Sequence, residues 1–320
     1  MEGLSFRGRV NRLICKGQLE LDEMVKQAQK STINGKVANY IPALAKAERD
    51  VLAVSIFDGA DLCFVAGNSE ERFTLQSTSK VLTLALALMD CGEDKVFKKV
   101  GMEPTGDPFN SISKLETQIP SKPLNPMINA GALAVSSLIK GRTVEEKVQY
   151  LLAFIHKLSG NNKITYNKEV AQSEYETADL NRALAYFLKQ HHIIDGDVNE
   201  LIDFYTKQCA IELTCNDLAR IGYVLANEGR CADGQEVIPF EIARLVKTFM
   251  VTCGMYNASG EFAIKVGIPA KSGVSGCILG AVPNRLGIGI YGPSLDEKGN
   301  SVAGMKLLEL LAEHYHLSIF

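Results

Sequence analysis

QSTSKVLTLALALM, residues 76 to 89, sets a short polar turn directly before a stretch that is apolar almost without a break. Its leucines, alanines and valine fall on every side of a helix rather than on one stripe, the pattern of a helix buried at the centre of a domain. The run Val81 to Met89, interrupted by Thr83, is less than half of the about 20 residues that cross a bilayer, so it predicts a core helix and not a membrane span. Upstream, VLAVSIF (51–57), Asp58-Gly59 and ADLCFVAG (60–67) predict a β-hairpin, because an Asp-Gly pair between two β-rich runs suits the tight turns that hairpins use. Residues 18 to 48 before it predict helix, with a turn at Asn34 and Gly35.

From the end of that core helix to about residue 250, nearly every segment carries helical period. Thr143 to Glu146 spells a capping box in front of VEEKVQYLLAFIHKL (144–158). Further helices are predicted over Glu174 to Gln190, Leu201 to Gln208 and Asn216 to Asn227, the last stopped by Gly229. The tail returns to strands, Gly273 to Val282 and Leu286 to Tyr291, around a turn at Pro283 and Asn284; Asn300 or Ser301 then caps a final amphipathic helix to His316. Strands at both ends around a helical block predict an α/β chain of the α+β type: an antiparallel sheet built from both chain ends and flanked by helices, plus a helical subdomain. No linker or internal repeat interrupts it. One unit over residues 1–320 is expected, its α/β part at about 1–76 and 255–320 and its helical part at about 77–254.

With 320 residues, 46% of them apolar, the chain can bury a large core. Thirty-four Lys and Arg against 37 Asp and Glu leave a net charge of -3, which gives nucleic acid or an acidic membrane no electrostatic purchase and leaves a small neutral or zwitterionic ligand open. Met1 to Asp22 has no apolar stretch of signal-peptide length, so a cytoplasmic location is expected. The eight cysteines (15, 63, 91, 209, 215, 231, 253 and 277) include no CxxC pair and the five histidines no HExxH. Reduced, mostly buried thiols are expected rather than a zinc site or a disulfide framework.

Gly287, Gly289 and Gly292 spell GxGxxG, but a dinucleotide site needs that motif to end a strand and open a helix; here it lies inside a strand pattern with Pro293 next, and close strand packing explains it better. Ser and Lys three apart are a more informative pattern, since on a helix they share one face and the amine can take the hydroxyl proton. The spacing occurs three times, at Ser77 with Lys80, Ser111 with Lys114 and Ser137 with Lys140. Only Ser77 sits where a strand pair ends and an apolar helix begins, at the positive end of a helix dipole and beside a water-poor wall. Ser111 lies among Pro108, Asn110 and Pro120, and Ser137 within a helix that ends at Gly141. On spacing alone, Ser77 as a helix N-cap with Lys80 on a solvated face stays the competing reading.

Lys271-Ser272-Gly273 adds a second element. A KSG or KTG triplet beginning a late strand accompanies SxxK in the serine β-lactamase and penicillin-binding fold, where that strand borders the nucleophile, and the order of hairpin, SxxK helix, helical block, KSG strand and final helix is similar to it. No SDN triplet and no export signal are present, which argues against the drug-hydrolysing branch. The resemblance narrows with GKVANYIPALA (35–45), QSTSKV (76–81), NPMINAGAL (125–133), SEYETADLNRALA (173–185), DFYTKQCAIELTC (203–215), CGMYNASGEFAIKVGIPAKSGVSG (253–276) and GNSVAG (299–304). In this order they resemble the signature blocks of the serine-dependent glutaminase family. Without ankyrin repeats or a long N-terminal extension, the chain resembles the short bacterial form.

That resemblance implies hydrolysis of L-glutamine to L-glutamate and ammonia through a serine acyl-enzyme, without metal or organic cofactor, without nucleic-acid or membrane partner, and in a homo-oligomer, dimer or tetramer. It implies Ser77 as nucleophile and Lys80 as its base, which requires burial to lower the lysine pKa from about 10.4. It implies an oxyanion hole at the backbone N–H groups of Ser77 and Val274, and Tyr256 of CGMYN passing a proton to the leaving ammonia. Glu174 would take the substrate ammonium, with Asn129, Asn181, Tyr205 and Tyr40 around the carboxylate and side chain, and Tyr256 and Val274 also lining the substrate. Glu174 and Asn181 are seven apart, which on a single helix would place them two turns apart on one face. Outside the family blocks, each has an ordinary reading as a buried group satisfying backbone or a solvated acid. Another acyl-serine hydrolase on the same fold, a β-lactamase or esterase, and a non-catalytic glutamine-binding protein are the alternatives.

Overall fold

The computed structural model describes residues 17–60, 62–108, 110–111 and 121–320. Strands β1 (Ala53–Phe57), β2 (Leu62–Ala66), β3 (Phe73–Thr74), β4 (Thr165–Tyr166), β5 (Ile211–Leu213), β6 (Ala270–Ser272), β7 (Cys277–Val282) and β8 (Leu286–Tyr291) form two sheets. The larger is antiparallel throughout, in the order β2-β1-β8-β7-β6. Its centre joins the two ends of the chain, as the sequence predicts: β1 lies against β8 with Ser55 opposite Gly289. The helices are α1 (Gln18–Gln29), α2 (Ser79–Lys99), α3 (Asn129–Ser136), α4 (Val144–Ser159), α5 (Lys168–Glu176), α6 (Asp179–Gln190), α7 (Val198–Cys209), α8 (Cys215–Ala226), α9 (Phe240–Cys253), α10 (Ser259–Lys265) and α11 (Val302–Tyr315). No described helix is long and apolar enough to cross a membrane.

Side chains alternate along a strand, so the sheet has two faces with two cores. Ile288 and Ile290 of β8 join Leu21 and Val25 of α1 and Leu307, Leu308 and Leu311 of α11 on one face. On the other face α8 packs, and here the glycines matter. A Cβ on Gly287 would stand 2.0 Å from the Ala219 carbonyl oxygen and one on Gly289 2.2 Å from that of Cys215, so both positions must lack a side chain for α8 to lie this close. The GxGxxG spelling is a packing surface.

Beyond α8 lies the helical part, with α2 at its centre. Every residue from Ser79 to Leu88 is buried, including Lys80, and the chain breaks helical geometry only at Gly92, whose φ is +74°. Leu84 and Leu88 share a core with Leu151 and Ile155 of α4 and with Val246 and Met250 of α9.

Several predicted elements come out differently. The helix expected over 18–48 ends at Gln29 and continues only as 3-10 turns at Lys30–Asn34 and Leu44–Lys46. The helix expected over Glu174 to Gln190 is two: α5 ends at Glu176 and α6 begins at Asp179, and between them the Thr177 hydroxyl donates to the Ser173 carbonyl at 2.9 Å. A small sheet, β3-β5-β4, interrupts the helical block. The strand expected from Gly273 is a hairpin: Lys271 and Ser272 end β6, Gly276 at φ +97° reverses the chain, and β7 begins at Cys277. At residue 143 the Thr143 hydroxyl caps Glu146 N, but Glu146 returns its carboxylate to Arg142 N. Ser301, not Asn300, caps α11 through Gly304 N at 3.0 Å.

Candidate active site

Ser77 lies in a 3-10 turn, Gln76–Thr78, that joins β3 to α2, and is 7% exposed. Gln76 before it has φ +46°, a left-handed conformation that a side chain seldom adopts and that must be held by its surroundings. Three strands of support converge on this turn. Leu75 N donates to Ile211 O of β5 at 2.8 Å, Ser275 Oγ in the β6–β7 turn donates to Thr74 O at 2.6 Å, and Ser79 Oγ donates to Gln76 O at 2.7 Å. A Cβ on Gly273 would meet Leu75 O at 2.6 Å, so the glycine of the KSG triplet is what lets the hairpin close against the turn.

Lys80 is one helical turn further on and 1% exposed, so the solvated-face reading of the spacing does not hold. Its Nζ donates to Met127 O at 3.0 Å and to Asn129 Oδ1 at 2.7 Å, and Asn129 Nδ2 donates to Asn181 Oδ1 at 3.0 Å. Burial pushes the Lys80 pKa down to about 8, with Cys209 and Glu174 working against the shift.

A cavity of about 300 Å³ opens beside Ser77. Ser77, Gln76, Asn129, Glu174, Asn181, Tyr205, Cys209 and Val274 line it, and Tyr40, 55% exposed, stands with Leu180 and Asn110 towards its mouth. Glu174 is the buried acid of the cavity. Burial raises its pKa to about 7, while hydrogen bonds from Gln76, whose Nε2 is 3.2 Å from Oε2, and from Cys209 hold it lower. Glu174 near the end of α5 and Asn181 in the first turn of α6 do meet the same cavity, but from two helices rather than one face of a single helix. Burial likewise keeps Tyr205 and Cys209 protonated, raising both pKa values well above their ordinary ranges.

Tyr256, at φ +52°, sits behind Ser77 and pairs with its side chain; burial raises the phenol pKa and the Ser77 contact works against that. Although expected to line the substrate, Tyr256 is not among the residues lining the cavity of Ser77 and Glu174; it lines a second cavity of about 280 Å³ with Asn125, Met127 and Asn257. Lys271 of the KSG triplet, completely buried, places Nζ 4.4 Å from the Tyr256 ring centre and 2.7 Å from Ser272 O. Its pKa lies well below the usual lysine value, through burial first and the neighbouring Lys80 second.

The other two SxxK copies differ. Ser137 spends its hydroxyl on Ala134 O at 2.7 Å, and Lys140 reaches the surface to pair with Asp90 at 2.7 Å. Lys114 lies outside the described residues, as does Cys15. Sequence reasoning had no role for Gln76, Cys209 or Lys271, although each lies inside a family block; a polar residue beside the nucleophile and an unexplained lysine in the KSG triplet were the available signals. Among the described residues, no group of three or more His, Cys, Asp and Glu is placed to hold a metal ion.

Residues 35–320 match the family described as Glutaminase. The chain is 65% identical over 301 residues to glutaminase 1 of Halalkalibacterium halodurans, covering 94% of this chain and 98% of that one. It is 62% identical over 309 residues to glutaminase 2 of Bacillus subtilis, covering 96% and 100%. It superimposes with a TM-score of 0.85, at 40% identity and covering 95% and 99% of the two chains, on a Bacillus subtilis glutaminase in covalent complex with 5-oxo-L-norleucine, formed by reaction with 6-diazo-5-oxo-L-norleucine.

Proposed function

The chain belongs to the glutaminase family and is a glutaminase, and from that premise we propose that it hydrolyses L-glutamine through a Ser77 acyl-enzyme with Lys80 as the base. The observation that carries this reading is the burial of Lys80 one turn from Ser77, with carbonyl oxygens and no carboxylate as its hydrogen-bond partners. A lysine held near pKa 8 is neutral in a useful fraction near neutrality and can take the serine proton, which an exposed lysine at about 10.4 could not do efficiently.

Ser77 Oγ gives its proton to Lys80 Nζ and bonds to the amide carbon of the substrate. The oxyanion that forms is met by the N–H groups of Ser77 and Val274, a role supported by both residues lining one cavity. The C–N bond breaks as a proton, relayed by Tyr256, reaches the nitrogen, and ammonia leaves. Water, deprotonated by the same base, then attacks the γ-glutamyl ester and frees Ser77 and glutamate. Glu174 takes the substrate ammonium, and Asn129, Asn181, Tyr205 and Tyr40 surround its carboxylate and side chain. The catalytic unit of this reading is the whole of residues 1–320, its α/β and helical parts meeting at Ser77. We place the reaction in the cytoplasm, supported by free thiols at Cys91, Cys209, Cys215, Cys231, Cys253 and Cys277.

The test is ammonia release from glutamine combined with labelling by 6-diazo-5-oxo-L-norleucine. Peptide mass mapping should find one adduct on Ser77 and none in Ser77→Ala. An adduct elsewhere with Ser77→Ala still active would overturn the reading.

A further inference from the structure

We propose that Gln208 is a positioning residue for Ser77, acting through the Ser79 hydroxyl on the carbonyl of Gln76; the inference rests on Ser77 being the nucleophile. Gln208 is on α7 between Tyr205 and Cys209, yet it turns away from the cavity and is 1% exposed. Its Oε1 accepts from Ser136 Oγ of α3 at 3.0 Å, and its Nε2 donates to Ser79 Oγ of α2 at 3.2 Å. Ser79 Oγ in turn donates to Gln76 O at 2.7 Å.

This chain of bonds ties the three helices that deliver Asn129, Tyr205 and Lys80 at one buried point, and it ends on the peptide that precedes the nucleophile. A hydroxyl has one proton, so the Ser79 proton stays on Gln76 O because Gln208 presents Ser79 with a donor, not an acceptor. Gln76 holds a left-handed φ of +46°, and such a conformation persists only where neighbours over-determine it. Removing the Gln208 amide leaves the Ser79 hydroxyl free to turn, and the Gln76–Ser77 peptide can relax away from the geometry that presents Oγ to the amide carbon. Small misplacements of a nucleophile are costly because attack needs a near-attack geometry.

The variant is Gln208→Met, close in volume and without an amide. We expect kcat for glutamine and the rate constant of labelling by 6-diazo-5-oxo-L-norleucine both to fall by about tenfold, the loss of about one hydrogen bond's discrimination. The inhibition constant of L-glutamate should change by less than twofold, because Gln208 does not touch the cavity. Ser79→Ala should reproduce the kcat loss, and the double variant should be no worse than either, since both act on one carbonyl. Ser79→Ala also serves if Gln208→Met fails to fold. Unchanged kcat in the folded variant, or losses that multiply in the double variant, would overturn the proposal. A kcat loss with glutamate affinity lost in proportion would also overturn it, since that marks a disturbed cavity. Turnover by Ser77→Ala would instead remove the premise.

Discussion

The amide oxygen of Asn129 accepts a hydrogen bond from Lys80 Nζ at 2.7 Å. A residue that the family pattern places around the substrate therefore also holds the proposed base, and α3 carries it there from its first position. An acceptor of this kind favours the ammonium form of the lysine. Asn129→Leu should lower the Lys80 pKa further below about 8, so that the acid limb of kcat moves to lower pH while the plateau falls. Asn129→Asp, which sets a negative charge at the same place, should move that limb to higher pH. Two pH profiles that shift in the same direction would contradict the coupling.

In the proposed mechanism two groups lose protons before the free enzyme acts: Glu174, raised to about 7, and Lys80, lowered to about 8. Both are protonated in acid, so activity is lost as pH falls through each value. The logarithm of kcat/KM should climb with a slope approaching 2 below pH 7, then about 1 up to pH 8, and level off above it. A maximum at pH 5 would be incompatible with a lysine base.

Glu174→Gln keeps the shape of the cavity and removes its buried acid. Losing one charge-assisted hydrogen bond to the substrate ammonium, on the order of 1.5 to 3 kcal/mol, should lower kcat/KM by roughly tenfold to a hundredfold. The acid limb should then show a single ionisation. Glutamine acylated on its α-nitrogen should be rejected by the native enzyme and less so by the variant. Additive effects of variant and acylation in a double cycle would show that the two groups do not meet.

Ser77→Ala should cost up to about 10⁶ in rate, and Lys80→Ala a similar amount, as loss of a nucleophile or its base does. Ser137→Ala and Ser111→Ala should leave turnover nearly intact. For Ser137 the reason is visible, since its hydroxyl closes a helix end 2.7 Å from Ala134 O and its lysine partner is bound to Asp90 at the surface.

Gly289→Val should lower the melting temperature by several degrees or abolish folding. The new Cβ would fall 2.2 Å from the Cys215 carbonyl, a backbone atom at the start of α8 that cannot swing aside, and overpacking of this kind costs about 1–3 kcal/mol or more. Scanning calorimetry on a variant with unchanged melting would show that α8 can move off β8.

The parts legible in the sequence were those with long-range pattern. The strand Leu286 to Tyr291 after its Pro283-Asn284 turn, all-round burial from Val81 to Leu88, and the Asp58-Gly59 pair each specify an element by themselves. The small sheet was not legible because β3 and β4 have two residues each, too few to show a period, and pair only through Ile211–Leu213 far along the chain. The break between α5 and α6, at Thr177 and Ala178, carries no Gly or Pro to announce it. In the site, residue types and family blocks pointed to Ser77, Lys80 and Glu174, but the linkage of Asn129 to Lys80 and of Gln76 to Glu174 depends on helices brought together from different parts of the chain.

β8 lies between β1 and β7, so the first hairpin made during synthesis waits, with one edge bare, for residues 286–291 to emerge. The turn bearing Val274 is held by β7, which itself needs β8, and the sheet's outer face needs α11 last of all. A growing polypeptide on the ribosome thus has its serine long before it has a site. A fragment ending before residue 286 would leave β1 without its β8 partner, an unpaired strand edge open to aggregation.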